Sequence, residues 1–125
     1  MTVVTAAIIW NGEKVLISRR MPGQRMAGYW EFPGGKIEAG ESPQACLERE
    51  LMEEFGITAK AGDQIAESVY RYDHGTIRLV ALSTEILAGE PELTVHDRIA
   101  WVLPEDLLDY KLAPADVPIA EKINS

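Results

Sequence analysis

Residues 35–57 carry an acidic pattern that constrains both the local fold and the chemistry of this chain. Its spacing is G-x5-E-x7-R-E-apolar-x-E-E-x-G-apolar. Ser42 and Pro43 are favoured at the N-cap and the first position of a helix, and Gly56 is favoured just after a last turn. The sequence therefore predicts a helix over about residues 43–55.

Three glutamates of this helix project from one patch of its surface. Glu50, Glu53 and Glu54 stand at i, i+3 and i+4, so their carboxylates share a face about 100° wide. Like charges at these spacings destabilise a helix by roughly 0.2–0.5 kcal/mol per pair, and a cation held between them removes that cost. Carboxylate oxygens suit Mg²⁺ or Mn²⁺, with water and phosphate oxygens completing the coordination.

An apolar stripe adjoins this patch and is expected to pack against a sheet. It consists of Leu47, Leu51 and Phe55. Burial of the stripe would hold the carboxylates at a fixed depth in a cleft. The alternative is a solvated acidic face, which is what most runs of charge are. The turn expected at Gly34 and Gly35 favours a ligand site, because glycine lets the backbone approach a ligand closely.

Strand and helix patterns alternate along the rest of the chain. Strands are predicted at residues 2–10, 14–18, 27–32, 64–72, 76–86 and 99–103. Two further short helices are predicted at residues 104–110 and 115–123. This interleaving predicts one α/β domain spanning residues 1–125, with a mixed sheet covered on both faces.

The composition limits the classes of function. With 46% apolar residues in 125, the chain can bury one core. Its net charge of −8 argues against binding to DNA or RNA polymers, and bound divalent cations are needed before a phosphate substrate is attracted. Cys46 is the single cysteine, and neither a leader segment nor a long apolar run is visible. We expect a cytoplasmic protein without membrane contact, either a monomer or a homodimer.

The complete pattern of residues 35–57 resembles the Nudix box, with every fixed position filled. At average residue frequencies such a pattern arises at on the order of 10⁻⁹ of starting points by chance. The resemblance implies the Nudix α/β/α sandwich and hydrolysis of a nucleoside diphosphate linked to a further group. It also implies Mg²⁺ as the cofactor, with Mn²⁺ as a possible substitute.

The same resemblance assigns roles to individual residues. The implied metal site comprises Gly34 (through its carbonyl), Glu41, Glu50, Glu53 and Glu54. The implied catalytic residues are Arg49, Glu50 and Glu53. Arg49 is expected to orient the glutamates through ion pairs, although it could be a plain i,i+4 partner of Glu53, which contributes little. Glu41 is expected to support the metal or its water shell.

The reaction also needs a carboxylate that takes a proton from the attacking water. In the MutT branch of the family, the glutamate after the box arginine, here Glu50, is a metal ligand and a favoured base. Other branches use an acid on a later loop, here residues 89–98, where Glu92 and Asp97 are the candidates. His96 is expected to cap a loop or contact solvent rather than act as the base.

Likeness to the MutT branch extends to three further segments, residues 18–20, 30–36 and 113–116. It implies a small nucleoside triphosphate pyrophosphohydrolase that acts on 8-oxo-dGTP, or on CTP, dCTP and modified cytosines. Arg20 is expected to hold a phosphate, with a surface ion pair as the alternative. Phe32 is expected to line the base pocket.

Two residues are candidates for reading the base. Asp116 stands where the 8-oxo-dGTP branch has asparagine, and an ionised carboxylate accepts hydrogen bonds from an amino group such as cytosine N4. Guanine amino and imino groups also satisfy it, and a helix N-cap is its structural alternative. Tyr72 falls where a base-stacking aromatic is expected, and its alternative is a core or hairpin-edge tyrosine.

Other functions stay open at this point. ADP-ribose hydrolases usually carry a proline at the position of Tyr72, whereas diadenosine polyphosphate hydrolases place a tyrosine in that region. A Nudix-like domain can also be a nucleotide sensor without catalysis. Retention of the three box glutamates argues against that class.

Overall fold

The computed structural model describes residues 1–125, which form six strands, two α-helices and two short 3₁₀ helices. The strands are β1 (Thr2–Asn11), β2 (Lys14–Arg20), β3 (Trp30–Glu31), β4 (Thr58–Tyr72), β5 (Gly75–Ala88) and β6 (His96–Val102). The α-helices are α1 (Pro43–Phe55) and α2 (Val117–Ile123), and the 3₁₀ helices are Pro104–Asp109 and Pro114–Asp116. Neither α-helix has the length and apolar character needed to cross a membrane.

The six strands form one mixed sheet. β1 and β5 run parallel, with Thr2 opposite Ile77 and Ile9 opposite Thr84. The other strand pairs are antiparallel. The order across the sheet is β3-β2-β1-β5-β4, and β6 lies along β2.

Both faces of the sheet are covered, because successive residues of β1 point to opposite sides. Ala6 and Ile8 belong to a core cluster of 13 buried residues that includes side chains of the C-terminal helices. Ala7 and Ile9 belong to a second cluster of 11 buried residues packed under α1. The α/β/α sandwich predicted from the sequence is therefore confirmed.

The functional region lies where β1 exchanges one neighbour for another. β1 and β2 pair only next to their hairpin, and β6 lies along the other edge of β2. Segment 33–37 takes the place of β2 beside β1. The Thr5 N–H donates to the Gly35 carbonyl (2.8 Å), and the Ala7 N–H donates to the Pro33 carbonyl (2.6 Å).

Helix α1 has the boundaries that its capping residues predict. The Ser42 hydroxyl accepts a hydrogen bond from the Ala45 N–H (3.0 Å), and Gly56 adopts a left-handed conformation with φ of 68°. The predicted apolar stripe of Leu47, Leu51 and Phe55 is completely buried. Because this stripe is fixed against the sheet, the acidic face of the helix has a defined position.

Two strands begin several residues earlier than predicted. β4 begins at Thr58 rather than residue 64, because the chain pairs with β5 through register shifts around residues 61–66. Such bulges interrupt the alternation of apolar and polar residues from which strands are predicted. β6 begins at His96 because it follows β2 past a bulge between Arg19 and Arg20.

Two other regions contain less regular secondary structure than predicted. Of the predicted strand at residues 27–32, only Trp30 and Glu31 pair with β2. The segment predicted as a helix at 104–110 is a single 3₁₀ element, and 114–116 form a separate 3₁₀ turn before α2. Runs as short as six and three residues commonly adopt the 3₁₀ form.

Candidate active site

A cleft of about 530 Å³ opens beside segment 33–37. Seven residues expected at the site line it: Arg20, Phe32, Gly34, Glu50, Glu54, Tyr72 and Asp116. Three others expected there do not: Glu41, Arg49 and Glu53. The cleft therefore brings the phosphate, metal and base candidates together but divides the acidic residues of the box into two groups.

Glu50 and Glu54 form the acidic pair inside the cleft. Burial and, to a smaller extent, the neighbouring carboxylate of Glu50 together raise the pKa of Glu54 to about 8. The carboxylate of Glu50 lies directly against the backbone of Gly35. Glu31 adds a weaker electrostatic contribution to the raised pKa of Glu54.

Glycine is required at positions 34 and 35 because neither position has room for a side chain. A Cβ atom on Gly34 would overlap the main-chain carbonyl of Thr5, and a Cβ atom on Gly35 would overlap the carboxylate of Glu50. The Gly34 carbonyl accepts no hydrogen bond, whereas the carbonyls on either side of it both do. An unpaired carbonyl at the lining of a cleft is available to a ligand.

Arg49 joins four carboxylates outside the cleft wall. Its Nε donates to Glu41 (2.7 Å), and its Nη1 donates to Glu50 (2.9 Å) and Glu53 (3.2 Å). Glu38 lies 3.7 Å away. The geometry therefore goes beyond a simple i,i+4 pair, because one guanidinium binds Glu41 and Glu50 as well as Glu53.

The other partners of Arg49 are less well placed for a metal. Hydrogen bonds from Arg49 lower the pKa of Glu41 to about 2, and the Glu38 N–H donates to the same carboxylate. The Glu53 side chain is 58% exposed, compared with 14% for Glu50. Both Glu41 and Glu53 point towards Arg49 rather than into the cleft.

The donor set in the cleft fits a hard divalent cation. No three His, Cys, Asp or Glu side chains converge on one point. Mg²⁺ is usually held by one or two carboxylates, with water and substrate phosphates completing its octahedron. Glu50, Glu54 and the free Gly34 carbonyl match that requirement. The raised pKa of Glu54 agrees with this, because a bound cation would offset both the burial and the repulsion by Glu50 that cause it.

The loop at residues 89–98 brings no acid into the cleft. Asp97 is held by Arg19 through two hydrogen bonds of 2.8 Å, which lower its pKa. Glu92 is exposed. The expectation that His96 contacts solvent is wrong, since His96 is only 3% exposed and stacks on Phe55.

Glu31 is a cleft residue that the sequence interpretation missed. His96 Nε2 lies 3.0 Å from Glu31 Oε2, and Arg20 Nη1 lies 3.3 Å from the same oxygen. The charge of Glu31 raises the pKa of both Glu54 and Asp116. Glu31 therefore stands between the metal candidates and the base candidates. A glutamate inside a short apolar strand was the available signal.

Asp116 is buried in the base-side end of the cleft with no ion-pair partner. Its Oδ1 accepts a hydrogen bond from the Phe32 N–H (3.0 Å), and its side chain makes no capping bond to α2. It occupies the N-cap position, but the N-cap role proposed as its alternative is absent. Burial raises its pKa well above the usual value, and the charge of Glu31 raises it further.

Tyr72 and Phe32 form the apolar wall beside Asp116. The Tyr72 hydroxyl accepts a hydrogen bond from the Ala115 N–H (2.9 Å), and its ring stacks on His74 with centroids 5.1 Å apart. Phe32 is 3% exposed and belongs to the core while also lining the cleft. Tyr72 thus lies at the hairpin edge and at the cleft, so its two expected roles are compatible.

Arg20 is partly engaged within the protein. Its Nε donates to the Arg25 carbonyl (2.5 Å), and its Nη1 donates to Glu31. Its Nη2 makes no contact of this kind and is free for a phosphate. The surface ion pair weighed as an alternative is therefore present, but at the cleft wall.

The NUDIX domain model matches residues 5–122, and the chain belongs to this family. The protein is thus a Nudix hydrolase, a class that generally uses divalent metal ions.

Individual relatives extend this result. The chain is 40% identical to the CTP pyrophosphohydrolase of Escherichia coli K12 over 97% of this chain and 90% of the relative. It is 38% identical to the putative 8-oxo-dGTP diphosphatase 2 of Mycobacterium tuberculosis over 91% of this chain and 82% of the relative. Among solved structures, the E. coli ORF135 protein superposes with a TM-score of 0.86 at 38% identity, covering 99% of this chain and 89% of that one.

The two glycines give a matched pair of substitutions. We expect Gly34→Ala to destabilise the protein by more than about 1 kcal/mol, since the new Cβ meets rigid backbone. The new Cβ in Gly35→Ala meets the side-chain carboxylate of Glu50 rather than backbone, so this variant should unfold near the native midpoint but with Mn²⁺ affinity reduced about 10–100-fold. Urea unfolding and calorimetric Mn²⁺ titration measure both effects. Native Mn²⁺ affinity in Gly35→Ala would show that Glu50 is not a ligand.

Asp116 predicts a pH dependence of stability. Because its pKa is higher in the folded state, the native protein binds the proton more tightly, and stability is lost as pH rises from the unfolded value of about 3.9 through the folded pKa. Asp116→Asn removes this loss. We expect the stability of the variant relative to the parent to increase as urea unfolding is repeated from low to neutral pH. Asp63→Asn, at an exposed aspartate, is the control. A difference independent of pH would contradict the burial argument.

Proposed function

We propose that this protein is a Mg²⁺-dependent nucleoside triphosphate pyrophosphohydrolase that converts a triphosphate and water into a monophosphate and pyrophosphate. The observation that carries the proposal is one continuous cleft joining the Glu50 and Glu54 pair to a base-sized end formed by Phe32, Tyr72 and Asp116. A single domain, spanning residues 1–125 and acting in the cytoplasm, would perform the reaction.

The chain provides the parts that such a reaction requires. A bound divalent cation neutralises the phosphate charge and lowers the pKa of the attacking water. Glu50, Glu54 and the Gly34 carbonyl hold that cation in our proposal. Arg49 is a positioning residue, because it fixes Glu50 from outside the cleft. Arg20 places its free Nη2 on the phosphate chain.

Glu50 is also our candidate for the general base. The acids of the 89–98 loop do not line the cleft, so they are poorly placed to reach a water bound there. Glu50 lies in the cleft and is fixed on two sides by Gly35 and Arg49. Glu41 and Glu53 act through Arg49 in this scheme.

Cytosine nucleotides are the substrates that the base end supports best. Burial raises the pKa of Asp116, and in its protonated form this side chain would donate one hydrogen bond. Cytosine offers N3 as an acceptor and its N4 amino group as a donor. Asp116 would donate to N3, and the neighbouring Glu31 carboxylate would accept from N4. The similarity to a CTP pyrophosphohydrolase supports the same choice.

8-oxo-dGTP is the second candidate. Guanine O6 would accept from Asp116, and N1–H would donate to Glu31, so the same two groups suit this base. The similarity to a putative 8-oxo-dGTP diphosphatase favours it specifically. Tyr72 would stack on either base, since stacking on an aromatic ring tolerates different bases.

A nucleotide panel tests the proposal. The wild-type protein with Mg²⁺ is assayed on CTP, dCTP, 5-methyl-dCTP, 8-oxo-dGTP, ADP-ribose and diadenosine polyphosphates, and products are separated by ion-exchange chromatography. We expect pyrophosphate and monophosphate, with cytosine nucleotides giving the highest kcat/KM. Asp116→Asn keeps a hydrogen-bond donor at this position and should leave the ratio of kcat/KM for CTP to that for 8-oxo-dGTP within about 10-fold. Release of orthophosphate, or activity only on ADP-ribose or diadenosine polyphosphates, would refute the proposal.

The box glutamates should differ in their effect on turnover. Glu50→Gln and Glu54→Gln each remove a charged ligand inside the cleft, and we expect kcat to fall by at least about 100-fold. Glu53→Gln alters only an exposed contact of Arg49 and should retain activity within about 10-fold. Glu121→Gln, at an exposed position on α2, is the charge-matched control. An equal loss in Glu53→Gln and Glu54→Gln would place Glu53 among the metal ligands.

A further inference from the structure

The loop between β2 and β3, residues 21–29, forms one wall of the cleft and presents a cation without a partner. Gln24, Arg25 and Met26 all line the cleft. The Arg25 side chain is exposed and takes part in no ion pair or hydrogen bond; only its main-chain carbonyl is bonded. A free guanidinium at the opening of an acidic cleft needs an explanation.

Arg20 holds this loop against the cleft from two directions. Its side-chain Nε donates to the Arg25 carbonyl, and its main-chain carbonyl accepts from the Gly28 N–H (3.0 Å). Within the loop, the Met21 N–H donates to the Gln24 side chain (3.2 Å). These bonds fix the backbone that carries the Arg25 side chain.

The backbone next to Arg25 is also strained. Met26 has a φ of 59° and is the one non-glycine residue in the left-handed region. Such a conformation costs of order 1–3 kcal/mol and persists where the surrounding structure imposes it. Strain of this kind concentrates at ligand sites, and both Arg25 and Met26 line the cleft.

Acidic side chains outnumber Arg and Lys side chains in the cleft, so a phosphate group needs each free cation that lines it. Its acidic lining residues are Glu31, Glu50, Glu54 and Asp116, and its Arg and Lys residues are Arg20, Arg25 and Lys36. A triphosphate adds further negative charge to this set. The Nε and Nη1 groups of Arg20 are already hydrogen-bonded within the protein, whereas all the donors of the Arg25 guanidinium are free.

The depth of each group indicates which phosphates Arg25 meets. Asp116 at the base end is buried, Arg20 is partly buried beside Glu31, and Arg25 is exposed at the rim. A nucleotide whose base occupies the buried end extends its phosphates towards the rim. The outermost phosphates therefore lie nearest to Arg25.

We propose that Arg25 binds the β- and γ-phosphates, the half of the substrate that leaves as pyrophosphate. This assignment rests on the proposed pyrophosphohydrolase function. The planar guanidinium donates two parallel hydrogen bonds to phosphate oxygens, a geometry that lysine cannot reproduce. Arg25 thus adds a contact at the rim to the one that Arg20 provides deeper in the cleft.

Product inhibition separates the two halves of the substrate. In Arg25→Gln, we expect the inhibition constant of pyrophosphate to rise at least about 10-fold, as loss of a charge-assisted hydrogen bond predicts. The inhibition constant of CMP should stay within about 2-fold, because CMP lacks the outer phosphates. Arg25→Lys should give an intermediate value for pyrophosphate. Arg71→Gln removes an exposed arginine outside the cleft and serves as the control.

Two outcomes would overturn the assignment. Unchanged inhibition by pyrophosphate in Arg25→Gln would show that Arg25 does not contact this half of the substrate. An equal rise in the inhibition constants of pyrophosphate and CMP would show instead that the substitution displaces the loop of residues 21–29. Calorimetric titration of each protein with pyrophosphate in the presence of Mn²⁺ repeats the comparison without turnover. A wild-type protein that binds pyrophosphate through Arg25 but releases none from any triphosphate would refute the proposed function alone.

Discussion

The pairing of segment 33–37 with β1 is the constraint on which the rest of this structure depends. β2 separates from β1 beyond a short hairpin. From there on, the glycine-rich segment accepts hydrogen bonds from the main-chain N–H groups of β1. This pairing leaves the Gly34 carbonyl free and brings the backbone of Gly35 against Glu50. The positions of the metal candidates, of the cleft and of its base end all depend on this junction.

Electrostatics then determines which acids face the cleft. One guanidinium, Arg49, draws Glu41 and Glu53 outward and holds Glu50 by its side, while Glu54 stays inside in an environment that raises its pKa. The three glutamates of this helix surface are thereby divided into Glu50 and Glu54, which line the cleft, and Glu53, which pairs with Arg49 outside it. Spacing alone puts these carboxylates on one face and cannot make that division.

The sequence predicted much of the fold because its signals are local. Capping by Ser42 and Gly56, together with a buried stripe, defined α1 to the residue. The strands that run through bulges were predicted too short, since a bulge depends on a partner strand far away in the chain. The same reason applies to the site. His96 was expected at the surface and is buried, because its contact with Glu31 joins residues 65 positions apart.

The base end depends on the last residues of the chain. Trp30 exchanges main-chain hydrogen bonds with residues 111 and 113, and Asp116 reaches back 84 positions to the Phe32 N–H. The Nudix box, in contrast, is contained in residues 35–57. During synthesis from the N-terminus, domains fold as their residues emerge. Because this chain forms a single domain, its cleft stays incomplete until the C-terminal segment has left the ribosome.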